Sequence, residues 1–142
     1  MRIDTEAPAV ARASIEVAAT PADIWAVLTD IAQWPTWNPD VRAASIDGAV
    51  APGTTFRWKA GPGTITSTFQ TVEPPHLLAW TGRTLGIRAV HVYRLEGQGD
   101  STLVRSEESW SGLPVRLARR SMQKTLQTSI ESALRHLKTR VE

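Results

Sequence analysis

Cysteine is absent from the 142 residues, which excludes a disulfide framework and any thiolate metal site. Long apolar runs are absent too. None approaches the roughly 20 residues that a membrane-crossing helix needs, so no transmembrane segment is expected. The opening stretch, Met1 to Pro8, carries Arg2, Asp4 and Glu6 and lacks the apolar centre of an export signal, so the expected location is cytoplasmic. Histidine is scarce: His76, His91 and His136 fall in separate stretches without ligand spacing, and neither a metal nor a cofactor is expected. Gly61-Pro62-Gly63 reads as a turn rather than a phosphate-cradling loop, and no serine sits in a nucleophile-elbow pattern.

Phenylalanine and tyrosine are nearly missing as well, with two and one, whereas tryptophan occurs six times. Trp25, Trp34, Trp37, Trp58, Trp80 and Trp110 offer large apolar area with a single N–H donor each, which suits core walls and ligand pockets alike. Net charge is only +2 but unevenly spread: from Pro114 onward seven Lys/Arg face Glu131 and Glu142, giving that segment +5 and the remainder −3. A basic helix can mark nucleic-acid or membrane contact. It is more often the solvated side of an amphipathic helix, and no nucleic-acid partner is expected.

The chain has no internal repeat, low-complexity tract or linker, and reads as one domain over residues 1–142. Val10 to Ala18 has the pattern of a strand. Thr20 is a good N-cap and Pro21 suits a first helical position, so a short helix is expected over Pro21 to Thr29. A further helical turn and loop carry Trp34 and Trp37 over Ile31 to Asn38. Six short β runs follow: Val41–Ile46, Thr54–Ala60, Thr64–Val72, Leu77–Arg83, Ile87–Glu96 and Ser101–Ser111, separated by turn signals that imply an antiparallel meander. After Pro114 the period becomes helical for about 25 residues, roughly 38 Å. Val115, Met122, Leu126, Ile130, Ala133 and Leu137 form one stripe opposite Arg120, Lys124, Glu131, Arg135 and Lys138. The fold class is α+β.

The last hairpin is the most informative piece. With Gly97–Asp100 as its loop, Glu96 would lie opposite Ser101. Alternation then places Ile87, Ala89, His91, Tyr93 and Leu95 on one face with Thr102, Val104, Ser106, Glu108 and Trp110. The opposite face carries Arg88, Arg94, Arg105 and Glu107, as a solvated surface would. The first face is mostly apolar and is expected inward. An inward carboxylate is costly unless paired or wetted, so Glu108 is expected either to be hydrogen-bonded or to look into a ligand-filled space. Phe56 and Trp58 are expected inward by the same alternation. Trp80 is a further candidate wall whose face the alternation of Thr64–Val72 does not determine. A sheet face this aromatic needs a cover, and the helix stripe with Met122, Leu126 and Ile130 is the long element at hand.

The chain resembles a known family at several points. Thr20-Pro-Ala-Asp-Ile-Trp-Ala-Val-Leu-Thr-Asp-Ile-Ala-Gln-Trp-Pro-Thr-Trp-Asn-Pro39 is similar to the N-terminal signature of the polyketide cyclase/dehydrase and lipid-transport superfamily. These are the START-like, birch-pollen-allergen-like proteins. Glu73-Pro-Pro-His-Leu-Leu-Ala-Trp80, Glu108-Ser-Trp-Ser-Gly112 and Ala133-Leu-Arg-His-Leu-Lys138 resemble later family segments in the same order. The resemblance implies a helix-grip fold, a curved sheet of about seven strands around a long C-terminal helix with a deep cavity between them. Family members bind or carry lipids, sterols, hormones and polyketides, and some catalyse cyclisation or dehydration. Catalytic residues differ between members, so no catalytic position carries over.

The leading expectation is a protein that binds or carries a hydrophobic small molecule. The cavity-lining candidates are Phe56, Trp58, Trp80, Ala89, His91, Tyr93, Val104, Ser106, Glu108, Trp110, Met122, Leu126 and Ile130. The alternative is a cyclase/dehydrase-type enzyme using His91, Tyr93 and Glu108 for acid/base chemistry. A third reading is an interaction module built on the basic helix. A homodimer is compatible with the sequence, which identifies no surface for one.

Overall fold

Side-chain hydrogen bonds from the last helix to the first strand organise the architecture. The computed structural model describes residues Met1–Glu142. Its strands are β1 (Ala9–Val17), β2 (Ala43–Ile46), β3 (Thr55–Ala60), β4 (Gly63–Glu73), β5 (Leu77–Thr84), β6 (Ile87–Gln98) and β7 (Ser101–Ser111). They form one antiparallel sheet in the order β1-β7-β6-β5-β4-β3-β2. Helix α1 (Pro21–Leu28), a 3-10 turn (Ile31–Gln33) and α2 (Trp34–Trp37) lie between β1 and β2; α3 (Leu113–Leu117) and α4 (Arg119–Val141) follow β7. This is the expected α+β helix-grip arrangement.

Local chemistry accounts for the boundaries. Thr20 Oγ1 accepts from the Asp23 amide at 3.2 Å and Pro21 opens α1, as the sequence predicts. The C-terminal helical region is not one rod. Ala118 leaves helical geometry (φ −118°, ψ 42°), so Val115 belongs to α3, not to the stripe of α4. Gly112, at φ 117°, allows the chain to pass the β5–β6 turn: a Cβ there would meet the Gly86 carbonyl oxygen at 2.2 Å.

β1 is an edge strand, and its outward backbone groups need partners. Gln123 supplies both kinds, accepting from the Val10 amide at 2.9 Å and donating to the Val10 carbonyl at 2.7 Å. Gln127 donates to Arg12 O, Lys138 to Glu16 O and Arg119 to Pro8 O. Helix α4 thus runs parallel to β1 and seals its edge. Gln123→Ala removes two hydrogen bonds from a part-buried backbone, and a loss of about 1–2 kcal/mol is expected in chemical denaturation.

The expected faces of the last hairpin hold, but its register differs. The turn is two residues, Gly99-Asp100, and Gln98 pairs with Ser101. The shift is by two positions, so every side chain keeps its face while its partner changes. His91 therefore lies opposite Glu108 rather than Ser106, and Tyr93 opposite Ser106. β4 resists simple alternation because a bulge falls between Phe69 and Thr71. Ile65, Ser67 and Phe69 face the concave side, and after the bulge Val72 does, paired with Leu78. That places Trp80 inward.

The convex face is not wholly solvated. The N-terminal segment crosses it, and Ile3 buries Ala79 and Val92 there, while the Asp4 amide donates to Ser109 Oγ at 3.0 Å. The main core lies on the concave side, where Trp34, Phe56, Phe69, Trp80 and Tyr93 pack beneath Leu134 and Leu137 of α4. A smaller cluster joins Leu126 and Ile130 to Ala9, Ala11 and Val115.

Candidate functional site

Cross-strand rows on the concave face build the site. One row runs Phe69–Trp80–His91–Glu108–Ala11 across β4, β5, β6, β7 and β1. The next row runs Phe56–Ser67–Gly82–Ala89–Trp110. Its middle members are small, so the sheet carries little side-chain volume beside His91 and Glu108. Trp58, at one side of this floor, donates Nε1–H to Ser67 Oγ at 3.0 Å; Trp110, at the other, donates Nε1–H to Glu108 Oε2 at 2.8 Å. Both indoles and Ala89 are half-buried. A strip of small residues thus runs between two tryptophans with a polar group beside it, and Ser67 and Gly82 on that strip are themselves buried.

That polar group is tightly enclosed. The His91 and Glu108 side chains are 8% and 12% exposed. His91 Nε2 lies 2.8 Å from Ser106 Oγ. Its Nδ1 lies 3.2 Å from Glu108 Oε1 but off the line a hydrogen bond requires, leaving this buried nitrogen without a well-directed partner. Trp80 and Tyr93 flank the imidazole, with centroids 4.8 and 4.6 Å away and the Tyr93 ring nearly parallel.

Burial controls the titration of all three groups, because it penalises whichever form is charged. It pushes the Glu108 carboxyl up to about 7, against a smaller downward pull from the Trp110 N–H. It holds the His91 imidazole down at about 3. The Tyr93 phenol is raised, first by burial and then by the nearby Glu108 charge. Near neutral pH the site therefore holds an uncharged imidazole beside a carboxyl group in mid-titration. Such a carboxyl can donate a proton or accept one at that pH.

The residues expected from sequence divide into groups. Trp80, His91, Tyr93 and Phe56 share one aromatic cluster. Ser106 and Glu108 adjoin His91, Trp110 is bonded to Glu108, and Trp58 and Ala89 border the floor. Val104 is fully buried in the next row but one from His91, paired with Leu95. Leu126 and Ile130 pack on β1 with Met122 at their margin, and Trp110 touches that cluster. Sequence alternation misses Ser67 and Gly82, because the bulge hides the face of β4 and a glycine has no pattern value. It also gives no inward role to Trp34, which the expected helical turn over Ile31 to Asn38 carries; Trp34 donates to Leu28 O at 3.0 Å and packs edge-on against Phe56 and Trp58.

The resemblance implies a deep cavity. The depressions of about 370 to 600 Å3 on this molecule open instead on the convex face and around its ends, and none is lined by His91, Tyr93 or Glu108. On the concave side the volume beneath Leu134 and Leu137 is filled by aromatic rings.

Solved structures share this architecture. A hypothetical protein from Helicobacter pylori superposes with a TM-score of 0.86 at 16% identity, over 99% of this chain and 92% of its own. An aromatase/cyclase from Streptomyces sp. R1128 gives 0.79 at 14% identity, over 93% and 92%. A START superfamily protein from Mycobacterium smegmatis gives 0.76 at 19% identity, over 93% and 96%. At such identities the likeness is one of fold. No curated protein matches the chain. No helix is long and apolar enough to cross a membrane. The family model described as polyketide cyclase/dehydrase and lipid transport matches residues 8–142, and the chain belongs to that family.

Proposed function

We propose that the protein binds a flat apolar or aromatic small molecule over the strip of small residues between Trp58 and Trp110, with a carbonyl or hydroxyl of the ligand directed at Glu108 and His91. The buried His91–Glu108 pair beside a floor of small residues carries this reading. Polar groups placed sparsely in an otherwise apolar recess are the usual means of orienting such a ligand. Ser67 and Gly82 are buried and Trp58 is bonded to Ser67, so a ring would enter over the small residues as an indole swings aside, and the two half-buried indoles could then stack or edge against it. Because both indoles retain surface exposure, rotamer changes at Trp58 or Trp110 would admit a ligand without opening the aromatic core.

The probe for this reading is anilinonaphthalene sulfonate, an aromatic dye that brightens in apolar sites. It is expected to bind the folded protein and to quench tryptophan fluorescence. Ala89→Leu puts branched bulk on the half-buried floor and is expected to weaken binding about tenfold, the effect of displacing roughly one to two buried methylene equivalents, with the thermal midpoint little changed. Unaltered dye affinity in Ala89→Leu would place the site elsewhere.

One observation favours turnover as a second reading: two adjacent buried groups, Glu108 and His91, have their proton affinities pushed far apart. Such pairs are typical of acid/base sites. As a base, the Glu108 carboxylate would take a proton from the carbon next to a ligand carbonyl and return it to the resulting enolate. Exchange of the methyl protons of acetylnaphthalene into D2O, followed by NMR, tests this step. Exchange catalysed by the protein and lost in Glu108→Gln supports an enzyme; exchange at the background rate supports a carrier.

A further inference from the structure

We propose that the end of the molecule formed by the β5–β6 turn and α3 docks onto an anionic phospholipid bilayer. The inference is independent of what binds beside Glu108 and His91. Leu85, Leu113 and Leu117 are 64%, 65% and 78% exposed, the most exposed large apolar side chains of the chain. They sit at one end: a Cβ on Gly86 would lie 3.4 Å from the Pro114 ring, so the turn carrying Leu85 touches α3.

Leu85 is also held in an unfavourable backbone conformation. Its φ of 48° makes it the one non-glycine residue with positive φ. A two-residue hairpin turn of this kind prefers Asn, Asp or Gly at that position, and Leu85, whose side chain lies over Gly63, still leaves most of its surface in solvent. A leucine both strained and exposed is accounted for by a contact outside the chain.

The charges around these leucines are mostly basic, and the arginines among them are without ion-pair partners. Arg83 and Arg88 lie directly opposite each other across β5 and β6, an arrangement that repels unless an anion bridges it. Arg88 lines one depression with Arg83 and Leu85, and another with Leu113, Arg116 and Arg119. None of these arginines has an ion-pair partner, although Asp4 and Glu6 stand on the rim of the second depression. Leucines to enter the acyl boundary, ringed by guanidinium groups for lipid phosphates, match an anionic membrane surface. A second copy of the chain would bring arginine against arginine, and a nucleic acid would leave the leucines in water.

Cosedimentation with vesicles tests the surface. The protein is expected to bind vesicles of phosphatidylcholine containing about a third phosphatidylserine at low ionic strength, to bind pure phosphatidylcholine far less, and to be released by about 0.5 M salt. Leu85→Asn and Leu117→Asn should each weaken binding about tenfold, and Arg83→Gln and Arg88→Gln about fivefold each. Leu85→Asn suits the left-handed conformation, so its thermal midpoint should not fall, which separates lost docking from lost folding. Failure of the unmodified protein to bind the anionic vesicles would overturn the proposal, as would unchanged binding in both leucine variants. Self-association in sedimentation velocity that Leu85→Asn abolishes would also overturn it, by making the surface a contact between copies.

Discussion

Replacing Trp80 by alanine is expected to lower the unfolding free energy by about 3–5 kcal/mol, a large share of the roughly 5–15 kcal/mol available to an ordinary domain. The ring is 4% exposed and touches rings from four other elements. It meets Trp34 of α2 at 5.7 Å, Phe56 of β3 at 5.8 Å, Phe69 of β4 at 6.1 Å and Tyr93 of β6 at 5.7 Å between centroids. Alanine there would leave a void bounded by rings that are themselves locked by one another, so the site cannot collapse to recover the lost contacts. Trp58→Ala, at a half-buried indole, is the comparison and should cost markedly less. Guanidinium denaturation of the two variants checks the contrast. Equal losses would show that the aromatic cluster does not act through Trp80.

The second large effect is a reversal in the sign of the pH dependence. Between pH 4.5 and 6.5 the unfolded chain protonates His91 and ionises Glu108, whereas the folded chain keeps His91 neutral and Glu108 protonated. Each form carries one proton on the pair, so in this window the pair contributes no slope to stability. Removing one partner exposes the other. In Glu108→Gln only His91 remains, and the unfolded state binds the extra proton. Stability should then rise with pH at up to about 1.4 kcal/mol per unit, its loss extending down toward pH 3. In His91→Gln only Glu108 remains and the folded state binds the extra proton. Stability should then fall as pH rises, through the window and up to about pH 7, at up to the same rate. Denaturation midpoints at a series of pH values check this. Parallel profiles in the two variants would mean that burial does not govern the pair.

The two effects bear on one another. Trp80 is the ring against which His91 rests, and its loss would let water reach the imidazole and the carboxylate. Both groups should move back toward their ordinary proton affinities in any Trp80 variant that stays folded, and the pH dependence of stability contributed by the pair should shrink in parallel with the penalty that burial imposes.

Much of the architecture was legible because it is written in local patterns. Thr20 and Pro21 mark a helix start through capping chemistry, which acts within four residues. Alternation along β6 and β7 assigned His91, Tyr93, Ser106 and Glu108 to one face, since that assignment depends only on parity, and the two-position shift of register left parity intact. The family resemblance supplied the helix-grip arrangement that seven antiparallel strands and one long helix leave open. Alternation failed along β4 for a definite reason: the bulge at Gln70 reverses parity midway, so Phe69 and Val72 share a face although three positions separate them. The break at Ala118 was likewise invisible, because alanine is a good helix former.

By itself, then, the sequence determined the order of elements, the absence of cysteine, and the presence of an inward face with an acid on it. The tertiary structure alone decided what stands beside that acid. Opposition of His91 and Glu108 depends on the length of one turn. The floor of Ser67, Gly82 and Ala89 comes from the registers of three strands, and the direction of α4 from side-chain hydrogen bonds to the backbone of β1. These are relations between residues far apart in the chain. They follow from the sum of packing over the whole sheet and not from any local preference, which is why residue pattern could name most residues of the concave face without arranging them.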